Sequence, residues 1–146
     1  MIDKFIKAWD ANKDNLRNYF STHEMKEYDE YRILVCLLFE KVINPYIEAD
    51  DKSFDHTPYD IGNIHEIDDG DYQGTLLYII PKKTYQPCKD EYVITNVGYG
   101  SCSCCDTLQG ITCYDCDKLP DHNQIDEFMT LCLHILQQCK IPYKED

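Results

Sequence analysis

Thiols are the residues in this chain whose type and spacing point most directly to chemistry. There are nine cysteines in 146 residues, and five of them, Cys102, Cys104, Cys105, Cys113 and Cys116, fall between positions 102 and 116. Cys102 and Cys105 form one C-x-x-C pair, and Cys113-Tyr114-Asp115-Cys116 forms a second. Two such pairs can supply the four thiolates of one tetrahedral zinc, so these four cysteines are candidate metal ligands and zinc is the cofactor they would take. His134 is a further candidate ligand, although a helical wheel puts it opposite the apolar stripe of its helix, where it also reads as a solvated histidine. The cysteines have a plainer reading too. Small side chains pack well in a tight turn, and Cys113 and Cys116 read equally as loop thiols. A thioredoxin-like pair expects a parallel βαβ setting, and this chain patterns as antiparallel.

The first pair sits in Val97-Gly98-Tyr99-Gly100-Ser101-Cys102-Ser103-Cys104-Cys105-Asp106-Thr107-Leu108-Gln109. The physical reading is a strand, a glycine turn and a helix start, with Asp106 or Thr107 as the cap. Thiols near a helix N-terminus feel its positive end, which favours thiolate. Backbone N–H groups at Gly98, Gly100 and Ser101 could also face an anion, with Lys82, Lys83 and Lys89 the nearest cations in sequence. Those lysines read equally as a solvated loop. The Walker and dinucleotide fingerprints are absent, and so is a nucleophile elbow with a Ser/His/Asp arrangement. A cysteine nucleophile would need a general base that the sequence does not place.

The segment Tyr99 to Gln109 resembles the Y-G-S-C-S-G-C-D-x-L-Q stretch of small uncharacterised proteins from bacteriophages and phage-bearing bacteria. Met129-Thr130-Leu131-Cys132-Leu133-His134-Ile135-Leu136-Gln137 and Tyr72-Gln73-Gly74-Thr75-Leu76-Leu77 are similar to theirs as well. The resemblance spans roughly residues 60 to 140 and implies a phage or prophage origin. It implies no activity. Cys104 stands where that pattern has glycine, and Cys113 and Cys116 have no counterpart in it.

Carboxylates are the second concentration of chemistry. Between Glu48 and Asp71 there are nine acidic residues against the single Lys52, a local charge of −8. Asp60, Glu66, Asp68, Asp69 and Asp71 are the candidate interaction surface, because a dense carboxylate array can occupy a cationic groove. The same acids also read as groups that only keep the chain in solution. Asp68, Asp69 and Asp71 surround a turn glycine, but the EF-hand spacing and its closing glutamate are missing.

The whole chain carries 27 acidic and 14 basic residues, a net charge of −13. That excludes the usual nucleic-acid-binding reading, which needs a cationic surface to displace counterions from phosphates. It also disfavours an anionic membrane surface. No apolar run reaches membrane-spanning length. The start, Met1-Ile2-Asp3-Lys4, lacks the features of a signal peptide, and nine is an odd number of thiols, so a reducing cytoplasm is the expected compartment. The expectation is a non-enzymatic protein that binds a host macromolecule in the bacterial cytoplasm, such as a nuclease or a defence enzyme. The alternative is a cysteine-centred zinc or small-ligand protein.

The elements that must position these residues read as a single α+β domain over 1–146. Ile2, Phe5, Ile6, Trp9, Leu16, Tyr19 and Phe20 lie at helical spacing. Ser21 and Glu24 fit the capping box of a second helix, which should end near Asn44-Pro45. The two make a helical hairpin over 1–47. An antiparallel sheet over 61–99 follows, with strands at Ile64–Ile67, Tyr72–Ile80 and Glu91–Tyr99 and a turn at Asp68-Asp69-Gly70-Asp71. The cysteine-rich turn occupies 100–119. A last helix covers 120–140, capped by Asp121 with Gln124 and buried through Ile125, Phe128, Met129, Cys132, Leu136 and Cys139. Twelve tyrosines are many for this length, and those in the sheet read mostly as half-buried strand residues.

Overall fold

The first apolar stripe does form a helix, but a longer one than its capping signal implies. The computed structural model describes residues 2–24, 31–49, 56–70, 74–100, 106–112 and 119–141. Helix α1 spans Ile2–Thr22 and buries Phe5, Ala8, Trp9, Leu16 and Phe20. Ser21 is therefore inside α1, not the N-cap of a following helix. Three side chains at this end turn back on the helix's own carbonyls. Ser21 Oγ donates to Asn18 O at 2.9 Å, Thr22 Oγ1 to Asn18 O at 3.0 Å, and His23 Nδ1 lies 3.0 Å from Tyr19 O. Orphan carbonyls at a helix C-terminus compete for the same hydroxyls that a capping box would use, and here they win.

The second helical stretch also runs past its expected end. Helix α2 covers Tyr31–Leu38, a π-helical turn covers Phe39–Ile43, and α3 covers Asn44–Ala49. Pro45 does not break the run, because the turn before it is widened and the Asn44 N–H reaches back to Phe39 O. A proline ring clashes with the carbonyl four residues earlier and leaves it without a donor, and a wide turn relieves the clash. Carbonyls of the widened turn are served from α1. Asn12 Nδ2 donates to Val42 O at 3.0 Å and Asn15 Nδ2 to Lys41 O at 3.4 Å. Asn44 is buried and exchanges two hydrogen bonds with the Tyr59 backbone, at 3.0 and 2.8 Å, which ties the helices to the start of the sheet.

The sheet has three antiparallel strands in the order β1-β2-β3, with β1 at His65–Asp68, β2 at Gly74–Pro81 and β3 at Tyr92–Tyr99. The register pairs Glu66 with Tyr78 and Tyr78 with Thr95. Tyr78, Ile80, Val93 and Thr95 are buried beneath the helices. Strand β1 is exposed along its whole length. Helix α4 covers Thr107–Thr112, and α5 covers His122–Gln137. Asp121 caps α5 as the sequence predicts. Its side chain accepts from the Gln124 N–H at 2.8 Å, and Gln124 Oε1 accepts the Asp121 N–H at 2.9 Å. The predicted apolar face of α5 is buried throughout, with Leu131 and Ile135 added. Phe20 of α1 stacks on Phe128 of α5 at 4.9 Å. Thr95 Oγ1 donates to Ile135 O at 2.7 Å, so the sheet's one buried hydroxyl of β3 is satisfied where it meets α5. This is a mixed α+β domain: an N-terminal helical layer, a three-stranded antiparallel sheet and a C-terminal helix.

Candidate functional site

Gly100 and Asp106, which flank the first cysteines in sequence, are bonded to one another. Asp106 is buried, and its Oδ1 accepts the Gly100 N–H at 2.9 Å and the Tyr31 hydroxyl at 3.1 Å. The same hydroxyl accepts the Leu108 N–H at 3.1 Å. Asp106 thus stands just before α4, as a cap would, while the tyrosine oxygen from α2 takes the amide inside the first turn. Burial, and then the adjacent Asp106 charge, push the Tyr31 hydroxyl up to about 12. The arrangement corrects the anion-binding reading at one point. The Gly100 N–H is aimed at a carboxylate of the chain itself. Cys102, Cys105, Cys113 and Cys116 lie outside the described residues, as does Asp71.

The described thiols are not activated. Burial pushes Cys132 and Cys139 up to about 12. Burial also raises half-buried Cys36. Cys88 is an exposed loop thiol, raised by a hydrogen bond to Glu91 and by that carboxylate's charge. Thiolate nucleophiles need the opposite environment, a cation or a helix N-terminus that stabilises the anion. Cys88, Asp90 and Glu91 place three ligand atoms within 4.8 Å of one another on this loop. The set was not anticipated from the sequence, though its spacing of two and one residues was visible there. His134 is exposed and on the far side of α5 from the core, and His122 lies 3.6 Å from Asp126 at the surface.

Of the described acidic candidates, Glu66, Asp68 and Asp69 are exposed and Asp60 is half-buried, and each is also engaged locally. Glu66 Oε1 accepts the Tyr78 hydroxyl at 2.7 Å. Asp68 Oδ1 accepts the Tyr99 hydroxyl and the Gly70 N–H. Those two bonds hold the Asp68 carboxyl below the usual carboxylate range, the tyrosine contributing most. Asp69 Oδ1 accepts the Thr75 N–H at 2.6 Å. Gly74 is required beside it, since a Cβ there would lie 2.7 Å from that oxygen and 2.9 Å from Gly70 Cα. Asp60 accepts from the Gly62 N–H at 3.2 Å and from Asn63 Nδ2 at 2.6 Å. Glu66, Asp68 and Asp69 gather on one hairpin. Asp60 does not join them. Its N–H donates to Pro81 O at the far end of β2, about 20 Å of strand away from Thr75.

A carboxylate offers about four lone-pair sites, so these internal bonds leave each group able to accept more. No lysine or arginine pairs with Asp60, Glu66, Asp68 or Asp69 among the described residues. The hairpin therefore presents uncompensated negative charge, held in place by tyrosine hydroxyls and backbone amides. One cleft escaped sequence reasoning. It measures about 350 Å³ beside the π-helical turn and is lined in part by Asn15, Tyr19, His23, Glu40, Lys41 and Pro45. The Tyr19 and His23 rings stack there at 3.9 Å, and Lys41 Nζ lies 5.7 Å from the Tyr19 ring centre.

Comparison with protein-family models, with curated proteins and with solved structures finds no match. Among the described residues, no helix is long and apolar enough to cross a membrane.

Proposed function

We propose that the protein acts by binding, as a small acidic phage-type protein that docks on a cationic surface of a host macromolecule in the bacterial cytoplasm. A host nuclease or defence enzyme, inhibited by occupation of its groove, is the partner class this chemistry suits. The observation that carries the reading is the hairpin of Glu66, Asp68 and Asp69. Its carboxylates are exposed, fixed in position by Tyr78, Tyr99 and the Thr75 N–H, and unpaired with any cation among the described residues. Fixed charges of one sign recognise a complementary groove at little ordering cost.

The test is affinity capture from bacterial lysate with the natural protein and with the Glu66→Gln/Asp68→Asn/Asp69→Asn variant. Each amide keeps one acceptor oxygen, enough for the hydrogen bonds seen here, and removes the charge. The expected result is retention of a basic protein at low salt, lost both in the variant and at about 0.5 M salt, where the screening length drops to a few ångströms. Equal retention by the variant overturns the reading.

The second reading keeps zinc on Cys102, Cys105, Cys113 and Cys116. What supports it is that the two pairs leave opposite ends of α4, whose six residues span only about 9 Å. Native mass spectrometry of the reduced protein tests this. A bound zinc that disappears in the Cys102→Ser/Cys105→Ser variant is the expected result, and zinc-free natural protein overturns it.

A further inference from the structure

We propose that the open edge of β1 takes an added strand from the partner, a short extended segment that alternates basic and apolar side chains. The inference rests on the binding reading above and names the form the partner takes.

The ladder itself says which backbone groups are open. The Asp69 N–H donates to Thr75 O at 3.2 Å, and this pair lies one step beyond Asp68 and Leu76 in the register. Hydrogen-bonded and non-bonded pairs alternate in an antiparallel ladder. Ile67 and His65 therefore turn their N–H and C=O groups toward β2. Glu66 and Asp68 turn theirs outward. Ile64 shares that outward direction, and its carbonyl is already taken by Arg32 Nη2 at 2.6 Å. Among the described residues the edge is closed at Ile64 and open at Glu66 and Asp68, since none of them bonds to the outward backbone groups of those two. Strand β1 lies at the margin of the sheet, and its four residues are all exposed.

The two faces of this edge differ in chemistry. Side chains directly opposite in a ladder share a face. Glu66 and Asp68 therefore lie on the Tyr78 side, where both accept tyrosine hydroxyls. On the other face Ile67 is 50% exposed, and Leu77, Ile79 and Ile94 behind it are only half-buried and stand outside the core cluster. An added strand has a side-chain period of two. Basic residues at alternate positions would meet Glu66 and Asp68, and apolar residues between them would extend the patch around Ile67. Backbone bonds supply the affinity of such an addition and side chains its selectivity.

A second copy of this chain is the wrong occupant. Antiparallel pairing of two β1 edges sets Glu66 and Asp68 against their own kind, and like charges directly opposite destabilise a pair. The chain's net charge of −13 adds to that repulsion. The carboxylates that bar self-pairing are the groups that select a basic strand.

The probe is an N-acetylated, C-amidated Lys-Val-Lys-Val-Lys-Val peptide, titrated into the full chain at about 50 mM salt. Backbone amide hydrogen exchange is followed in parallel. The expected result is saturable binding with at least fivefold slower exchange at the Glu66 and Asp68 amides. A Lys-Lys-Lys-Val-Val-Val peptide of equal charge should bind at least tenfold more weakly. N-methylation of alternate peptide amides should abolish binding. Glu66→Pro removes an outward N–H while leaving the β1–β2 bonds in place, and should weaken binding at least tenfold more than Glu66→Gln does. Equal binding of the two peptides, or binding without protection of Glu66 and Asp68, overturns strand addition while leaving the charge-based reading intact. Absence of any binding overturns strand addition as well. The lysate experiment with the neutralised hairpin, by contrast, tests the charge-based reading alone.

Discussion

Tyr31 and Asp106 show how hydrogen bonds make a buried carboxylate tolerable. Asp106 is 4% exposed, and a charge so placed must be hydrogen-bonded or neutralised. It receives the Tyr31 hydroxyl and the Gly100 amide, and the tyrosine oxygen in turn satisfies the Leu108 amide. Tyr31→Phe removes the middle of this chain and takes one hydrogen bond each from the Leu108 amide and the Asp106 carboxylate. The expected loss is about 1–3 kcal/mol, read from urea unfolding at pH 8. The pH dependence has a definite sign. The folded hydroxyl is raised from its ordinary 10 to about 12, so its contribution is complete below pH 10 and is lost as pH climbs through 12. The stability gap between the natural protein and Tyr31→Phe should therefore shrink between pH 10 and pH 12. Cys132 and Cys139 titrate in an overlapping range but do so in both proteins, and they cancel in the difference. Sequence reasoning placed Asp106 at the start of a helix but not in this network, because its partner Tyr31 lies 75 residues away. The acidic hairpin was legible in the same partial way. The carboxylates and the Asp-Gly turn are visible in sequence, whereas the tyrosines that hold them come from 12 and 31 residues further on.

Two near-identical signals at the level of elements had opposite outcomes. Ser21 with Glu24 and Asp121 with Gln124 both match the spacing of a capping box. Only the second forms one. Asp121 follows Pro120, which cannot continue a ladder of helical N–H donors, and an apolar helical face starts directly after it. Ser21 follows an apolar stripe that is still in phase, so its hydroxyl serves the helix already present. Asp121→Ala should cost about 1 kcal/mol in unfolding free energy. Ser21→Ala should stay within about 0.5 kcal/mol, since the side chain is exposed and its carbonyl partner can turn to water. Equal losses at the two sites would mean that Ser21 does cap a helix in solution. The Asn44-Pro45 stop failed for a different reason. The local rule for proline holds for a helix of regular pitch, and the widened turn at Phe39–Ile43 together with Asn12 and Asn15 supplies what the rule assumes missing. Strands were easier to read than helix ends, because alternation repeats along a strand while a helix end rests on one or two residues.

Across the whole molecule, one quantity acts on folding and on binding with opposite signs. The chain carries a net charge of −13. Arg17 pairs with Asp126 at 2.9 Å, and both side chains are nearly half exposed. Such a pair contributes only about 0–1 kcal/mol. A net charge of this size repels itself in a compact chain, and salt should relieve that repulsion. Raising sodium chloride from about 20 mM to about 0.3 M shortens the screening length from roughly 20 Å to about 6 Å, well inside the dimensions of a domain this size. The urea midpoint should rise over that range. Capture of a cationic partner should fall over the same range, because the same screening weakens attraction between separate charged surfaces. The pair of slopes is more diagnostic than either alone. A partner held by apolar contact only would give binding that is flat in salt beside a rising midpoint. A midpoint that falls with salt would mean that favourable charge contacts dominate the fold, and the uncompensated hairpin carboxylates would then lose their place as the docking feature.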